Sequence, residues 1–131
     1  MAERPPTPLV QAFVVCRAMF ENPNDHEFVL VAPCSSVDVQ SFPAQGRRSV
    51  YAQLADAEGR YEMEMRLVDQ DGEEVWNWRC PGPVCAADRL LPHRIALYDL
   101  ILGFPRPGRY DLLLVGNGEI LAQHALWARQ V

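Results

Sequence analysis

The chain has 131 residues, 49% of them apolar and 22% charged, with a formal net charge of −5 at pH 7. That length holds one compact core and not two, and the composition excludes disordered, collagen-like and fibrous chains. The acid surplus argues against general binding to phosphate backbones, and no apolar run approaches the roughly 20 residues that cross a bilayer.

All twelve basic residues are arginine. A sheet edge here must be guarded by Arg, Pro, a bulge or a partner, and not by Lys. The eleven prolines fall almost wholly between apolar runs, where they punctuate turns. The start, Met1-Ala2-Glu3-Arg4-Pro5-Pro6-Thr7-Pro8, is not followed by the continuous apolar stretch of a signal peptide, since Gln11, Arg17 and Glu21 interrupt it. The expectation is a tail over 1–8, a single domain over 9–131, a cytoplasmic location and four reduced thiols.

Taken in order, 9–20 and 28–32 read as two strands joined across Asn22-Pro23-Asn24-Asp25. A strand over 49–55 turns at Asp56-Ala57-Glu58-Gly59 into Tyr61-Glu62-Met63-Glu64-Met65-Arg66-Leu67, where four apolar side chains alternate with three charged ones. Period two means a half-buried strand with one wet face, whereas a helix would scatter those charges all round. Asp69-Gln70-Asp71-Gly72 then turns into a strand over 74–79, because Gly accepts the positive φ of a tight hairpin. The stretch 80–91 is poorly patterned, with a short helical turn predicted over 86–90. The nearly continuous apolar run 94–102 lies between Pro92 and Phe104-Pro105-Arg106-Pro107-Gly108, which favours a strand. Strands over 110–115 and 120–127 flank Gly116-Asn117-Gly118 as a last hairpin.

Seven to eight short strands with a turn about every ten residues predict an all-β fold, an antiparallel two-sheet immunoglobulin-like sandwich. The run Phe104-Pro105-Arg106-Pro107-Gly108-Arg109-Tyr110 fits the corner of such a fold. There a Tyr opening the penultimate strand buries its ring and bonds the backbone just upstream. The chain also resembles a family of small bacterial domains of unknown function. The runs that carry the likeness are Val14-Val15-Cys16, Phe42-Pro43, Arg66-Leu67-Val68-Asp69-Gln70-Asp71-Gly72 and Phe104 to Tyr110, with Arg17 where the pattern has an acidic residue. The resemblance implies no activity.

Candidate chemistry is thin. Cys80 and Cys85 are separated by four residues, the upper limit for half of a zinc knuckle, and the further ligands would have to come from Cys16, Cys34, His93 and His124. Cys16 in its apolar strand reads as a small core residue, and free thiols are favoured over zinc or a Cys80–Cys85 disulfide. Asp69 and Asp71 lack the remaining ligands of a calcium loop, and at a hairpin tip both are expected to be solvated, which removes them as an acid–base pair. His26, His93 and His124 accompany no nucleophile motif, and no Gly-rich phosphate loop is present. No catalytic, cofactor-binding or metal-binding residue is therefore assigned, and no cofactor is expected.

Trp76 and Trp78 share one face of their strand, where at least one should fill the core. The other use of such a pair is an aromatic platform for a carbohydrate or small ligand. Between positions 54 and 74 eight carboxylates stand against two arginines, and between 79 and 109 five arginines against two carboxylates. Those segments could meet between subunits, engage separate partners or remain solvated. The favoured function is a non-catalytic protein-interaction or accessory structural module in a homo- or hetero-oligomer. Its partner is another protein or itself, with no nucleic acid and no membrane insertion. The alternative is ligand binding through Trp76 and Trp78.

Overall fold

The structure, a computed structural model, describes residues 5–131. Eleven strands occur among them: β1 (Leu9–Glu21), β2 (Phe28–Pro33), β3 (Ser36–Val39), β4 (Ala44–Ala55), β5 (Gly59–Tyr61), β6 (Met63–Val68), β7 (Glu74–Arg79), β8 (Val84–Ala86), β9 (His93–Phe104), β10 (Gly108–Gly116) and β11 (Glu119–Gln130). The all-β class holds, and the described residues include no helix. One sheet runs β2-β1-β4-β9, and a second, curled into a half-barrel, runs β3-β11-β10-β6-β7. β5 and β8 form a small sheet of two.

The inner faces of the two large sheets share one core. Val15, Val50, Leu54, Leu102 and Phe104 come from the first sheet, and Met65, Leu67, Tyr110, Leu112 and Leu126 from the second. The charge alternation of β6 works as the sequence implies: Met63, Met65 and Leu67 are buried while Glu64 and Arg66 are not. Each such side chain contributes about 1.5–3 kcal/mol when fully withdrawn from water.

Three expectations need correcting. The strands number eleven instead of seven or eight, and one pairing is parallel: β3 lies beside β11 with Ser36 opposite Trp127 and Val39 opposite Gln130. The strand expected over 61–67 breaks at Glu62, because the backbone there is engaged by the last hairpin. Asn117 Oδ1 accepts the Glu62 N–H at 2.8 Å, and the Asn117 N–H donates to the Glu62 carbonyl at 3.0 Å. The helical turn over 86–90 is instead a polar turn in which Asp88 Oδ1 accepts the Leu90 N–H and the Asp88 carbonyl accepts the Leu91 N–H. Asp side chains capture nearby N–H groups in this way, which competes with helix.

The ambiguous run over 94–102 is a strand, paired to β4 and kinked at Asp99, whose φ of 54° accompanies a register shift between Arg48 and Val50. Of the tail over 1–8, the first four residues lie outside the described part. The remainder is pinned: Tyr61 donates its hydroxyl to the Pro6 carbonyl at 2.7 Å, and Thr7 donates to Glu119 Oε2 at 3.1 Å.

Candidate interaction surface

The residues with possible metal or nucleophile chemistry are scattered. Cys80 is half-buried, and Cys85 is exposed on β8 opposite Arg60. All four cysteines are free thiols, and no three His, Cys, Asp or Glu side chains among the described residues stand together as a metal site. Cys34 packs on the core and its carbonyl meets His124 Nε2 at 3.1 Å. Cys16 is buried outside that core, donating its S–H to the Ser49 carbonyl at 3.5 Å. Burial pushes its thiol pKa up, and the nearby Cys34 adds to the rise. His26 sits 3.4 Å from Glu21 at the far end of the β1–β2 hairpin, while His93 opens β9.

The paired aspartates differ from their expectation. Asp71 is exposed, but only 4% of the Asp69 side chain reaches solvent. Asp69 Oδ1 accepts the N–H groups of Asp71 and Glu73, both at 2.9 Å, and Oδ2 accepts Arg106 Nη2 at 2.7 Å. Arg106 in turn belongs to the Tyr110 corner. The Tyr110 hydroxyl donates to the Arg106 carbonyl at 2.6 Å and accepts from the Arg106 N–H at 3.3 Å, with the ring buried against Phe104. A carboxylate bound by two amides and a guanidinium is a structural joint, fastening the β6–β7 turn to the turn before β10.

The acidic and basic segments also meet inside the chain. Arg79 lies 3.4 Å from Glu64, and Arg66 touches Glu64 and stands 3.6 Å from Glu74. Trp76 and Trp78 lie opposite Leu67 and Met65, on the inner face, half-buried against the core. A surface depression of about 520 Å³ is lined by Pro43, Ala44, Gln45, Val75, Gly103, Phe104 and Pro105, none of them ionisable.

The sequence marks the β1–β2 hairpin but not which of its faces stays open. Pairing of β1 with β4 ends at Cys16 opposite Ser49, after which β1 pairs only with β2. Phe28 is level with Glu21, seven positions past Val14, the partner of Tyr51. A straight ribbon would separate those levels by about 23 Å. Yet the Phe28 and Tyr51 rings are 5.5 Å apart, Arg94 of β9 caps the Phe28 ring, and Arg94 Nη1 is 3.2 Å from Glu27. The hairpin therefore bends back over its own sheet.

That bend covers one face of the hairpin and leaves the other open. Met19, opposite Leu30, is buried. On the other face Ala18 lies opposite Val31 and Phe20 opposite Val29, with Phe20 51%, Val29 38% and Val31 43% exposed. The outer edge of β2 has no neighbouring strand. The detectable signal was an uncharged run, Phe28-Val29-Leu30-Val31-Ala32-Pro33, apolar on both faces of an edge hairpin.

No protein-family model and no curated protein matches the chain. Among solved structures, the alkylpurine DNA glycosylase AlkC of Pseudomonas fluorescens, bound to DNA containing an abasic site analog, is similar with a TM-score of 0.51 at 13% identity. The match covers 94% of this chain and 30% of the glycosylase chain, so the chain spans under a third of that protein. The likeness is one of fold.

Proposed function

We propose that the chain is an immunoglobulin-like sandwich serving as a non-catalytic interaction module of the bacterial cytoplasm, and that it engages protein partners through the β1–β2 hairpin. The observation that carries this reading is the open apolar face of Phe20, Val29 and Val31 beside the unpaired edge of β2. Exposed apolar side chains grouped next to free backbone donors and acceptors cost solubility unless something covers them. The sandwich reading is supported by the shared core and by the Tyr110 hydroxyl bond to Arg106, the corner expected of that fold. Membership in the small bacterial family of unknown function is part of the same proposal, resting on the motifs quoted above. Free cysteines fit a reducing compartment.

The ionisable side chains support structure more readily than chemistry: Asp69, Glu64, Arg66, Arg79 and Arg106 neutralise one another. The glycosylase neighbour is bound to DNA, but a net charge of −5 opposes that partner for this chain. A photo-crosslinking amino acid at Val31 tests the reading in host cells, with one at exposed Arg60 as control. Adducts to a polypeptide from position 31, and none from position 60, are expected. Absence of position-31 adducts refutes it.

A further inference from the structure

We infer that the β2 edge pairs antiparallel with the same edge of a second copy of this chain, about a twofold axis through Leu30. This rests on the interaction reading above and names the occupant. Four strands end the two large sheets: β2, β9, β3 and β7. β9 carries Arg94 and the kink at Asp99, β3 carries Asp38, and β7 carries Glu74 and Arg79. Those charges and bulges are the devices that keep an edge unpaired. β2 has no charge along its length, and its two blunting residues, Ala32 with a φ of 53° and Pro33, both sit at its end, leaving Phe28 to Val31 as the open edge.

Self-pairing also matches the chemistry of both ends. About an axis through Leu30, Val29 falls opposite Val31 of the second copy, and Phe28 opposite Ala32, so the open apolar faces merge on one side. Ala32 falls between the pairs Cys16–Pro33 and Ala18–Val31, at the level of Arg17, and Phe28 is in register with Glu21. One row across the four strands therefore runs from Arg17 of one copy to Glu21 of the other. Arg17 is exposed and has no ion pair among the described residues, while the hairpin tip carries exposed Asp25 and Glu21, the latter 3.4 Å from His26, with Glu27 already bridged to Arg94 of its own chain. Antiparallel pairing brings each acidic tip to the other's cationic base; parallel pairing would set acidic tip against acidic tip. A six-residue strand is only about 20 Å long, so the paired edge is a small interface and a weak, reversible association is expected.

Sedimentation equilibrium of the full chain, from about 5 to about 500 μM, reads the association directly. A reversible dimer is expected. Val31→Lys should weaken it about a hundredfold, Arg17→Glu and Glu21→Arg about tenfold each, and the Arg17→Glu/Glu21→Arg double variant should regain most of the loss. Both charge-swap positions are exposed, so these variants report on pairing even if Val31→Lys folds poorly. A monomer at every concentration overturns self-pairing, as does a dimer indifferent to these substitutions. If the chain is monomeric while position 31 still crosslinks to another protein, self-pairing fails and the interaction reading stands. If neither dimer nor adduct forms, both fail.

Discussion

Replacing Asp69 by Ala removes an acceptor that holds two turns at once. Three hydrogen bonds disappear: the amides of Asp71 and Glu73 at 2.9 Å and Arg106 Nη2 at 2.7 Å. Bonds to a charged acceptor contribute about 1.5–3 kcal/mol each when fully desolvated. Arg106 is 56% exposed and Asp71 is exposed, so these donors recover water and the sum must be discounted. The expected cost is about 2–3 kcal/mol. Arg106→Ala leaves the carboxylate its two amides but strips the compensating cation from a nearly buried group, about 1–2 kcal/mol. Because both changes break the same joint, the double variant should cost less than their sum by about 1 kcal/mol. Urea unfolding followed by tryptophan emission measures all three, since Trp76 and Trp78 lie on β7 beside this turn. A loss below about 0.5 kcal/mol for Asp69→Ala would show that the joint carries no stability, and strict additivity that Asp69 and Arg106 do not act as one joint.

Further outcomes follow from neighbouring contacts. Tyr110→Phe keeps the ring and removes the hydroxyl bonded to Arg106, so unfolding should come about 1–1.5 kcal/mol sooner in urea titration. Tyr61→Phe releases the Pro6 carbonyl, and limited proteolysis should then cut within the first eight residues faster than in the parent chain. With a thiol reagent, exposed Cys85 should react first and buried Cys16 only on unfolding. The raised pKa of Cys16 means that the unfolded chain releases this proton first. Its contribution to stability is complete below about pH 8.5 and is lost as pH rises beyond, so Cys16→Ala should flatten the alkaline limb of a stability–pH curve. With exposed Trp127 replaced by Phe, emission from Trp76 and Trp78 should report the core and stay unmoved by a panel of glycans; a saturable shift would point to ligand binding there.

The parts of the fold legible in the sequence are those governed by local pattern. The alternation over 61–67 placed Met63, Met65 and Leu67 inward, and spacing by two put Trp76 and Trp78 on one face, which proved to be the inner one. The corner before Tyr110 was readable because its hydroxyl bonds a residue only four positions away. Long-range partners were not readable. Asp69 looked like a solvated turn residue because Arg106 is 37 positions distant. β3 was missed because four residues, one of them charged, give almost no periodic signal, and its parallel partner β11 lies at the other end of the chain. The open face of the hairpin was hidden for a related reason. Alternation shows that a strand has two faces, but which one stays uncovered depends on the ribbon bending back to bring Phe28 onto Tyr51.

The most direct test of the hairpin as the working surface is the amide spectrum of isotope-labelled chain, first alone and dilute, then in extract of its host. The account predicts broadening or shifts confined to β2 and the facing half of β1, centred on Val29 and Val31, with β6, β7 and β10 unchanged. An unaltered spectrum, or changes centred on any other strand, would contradict it.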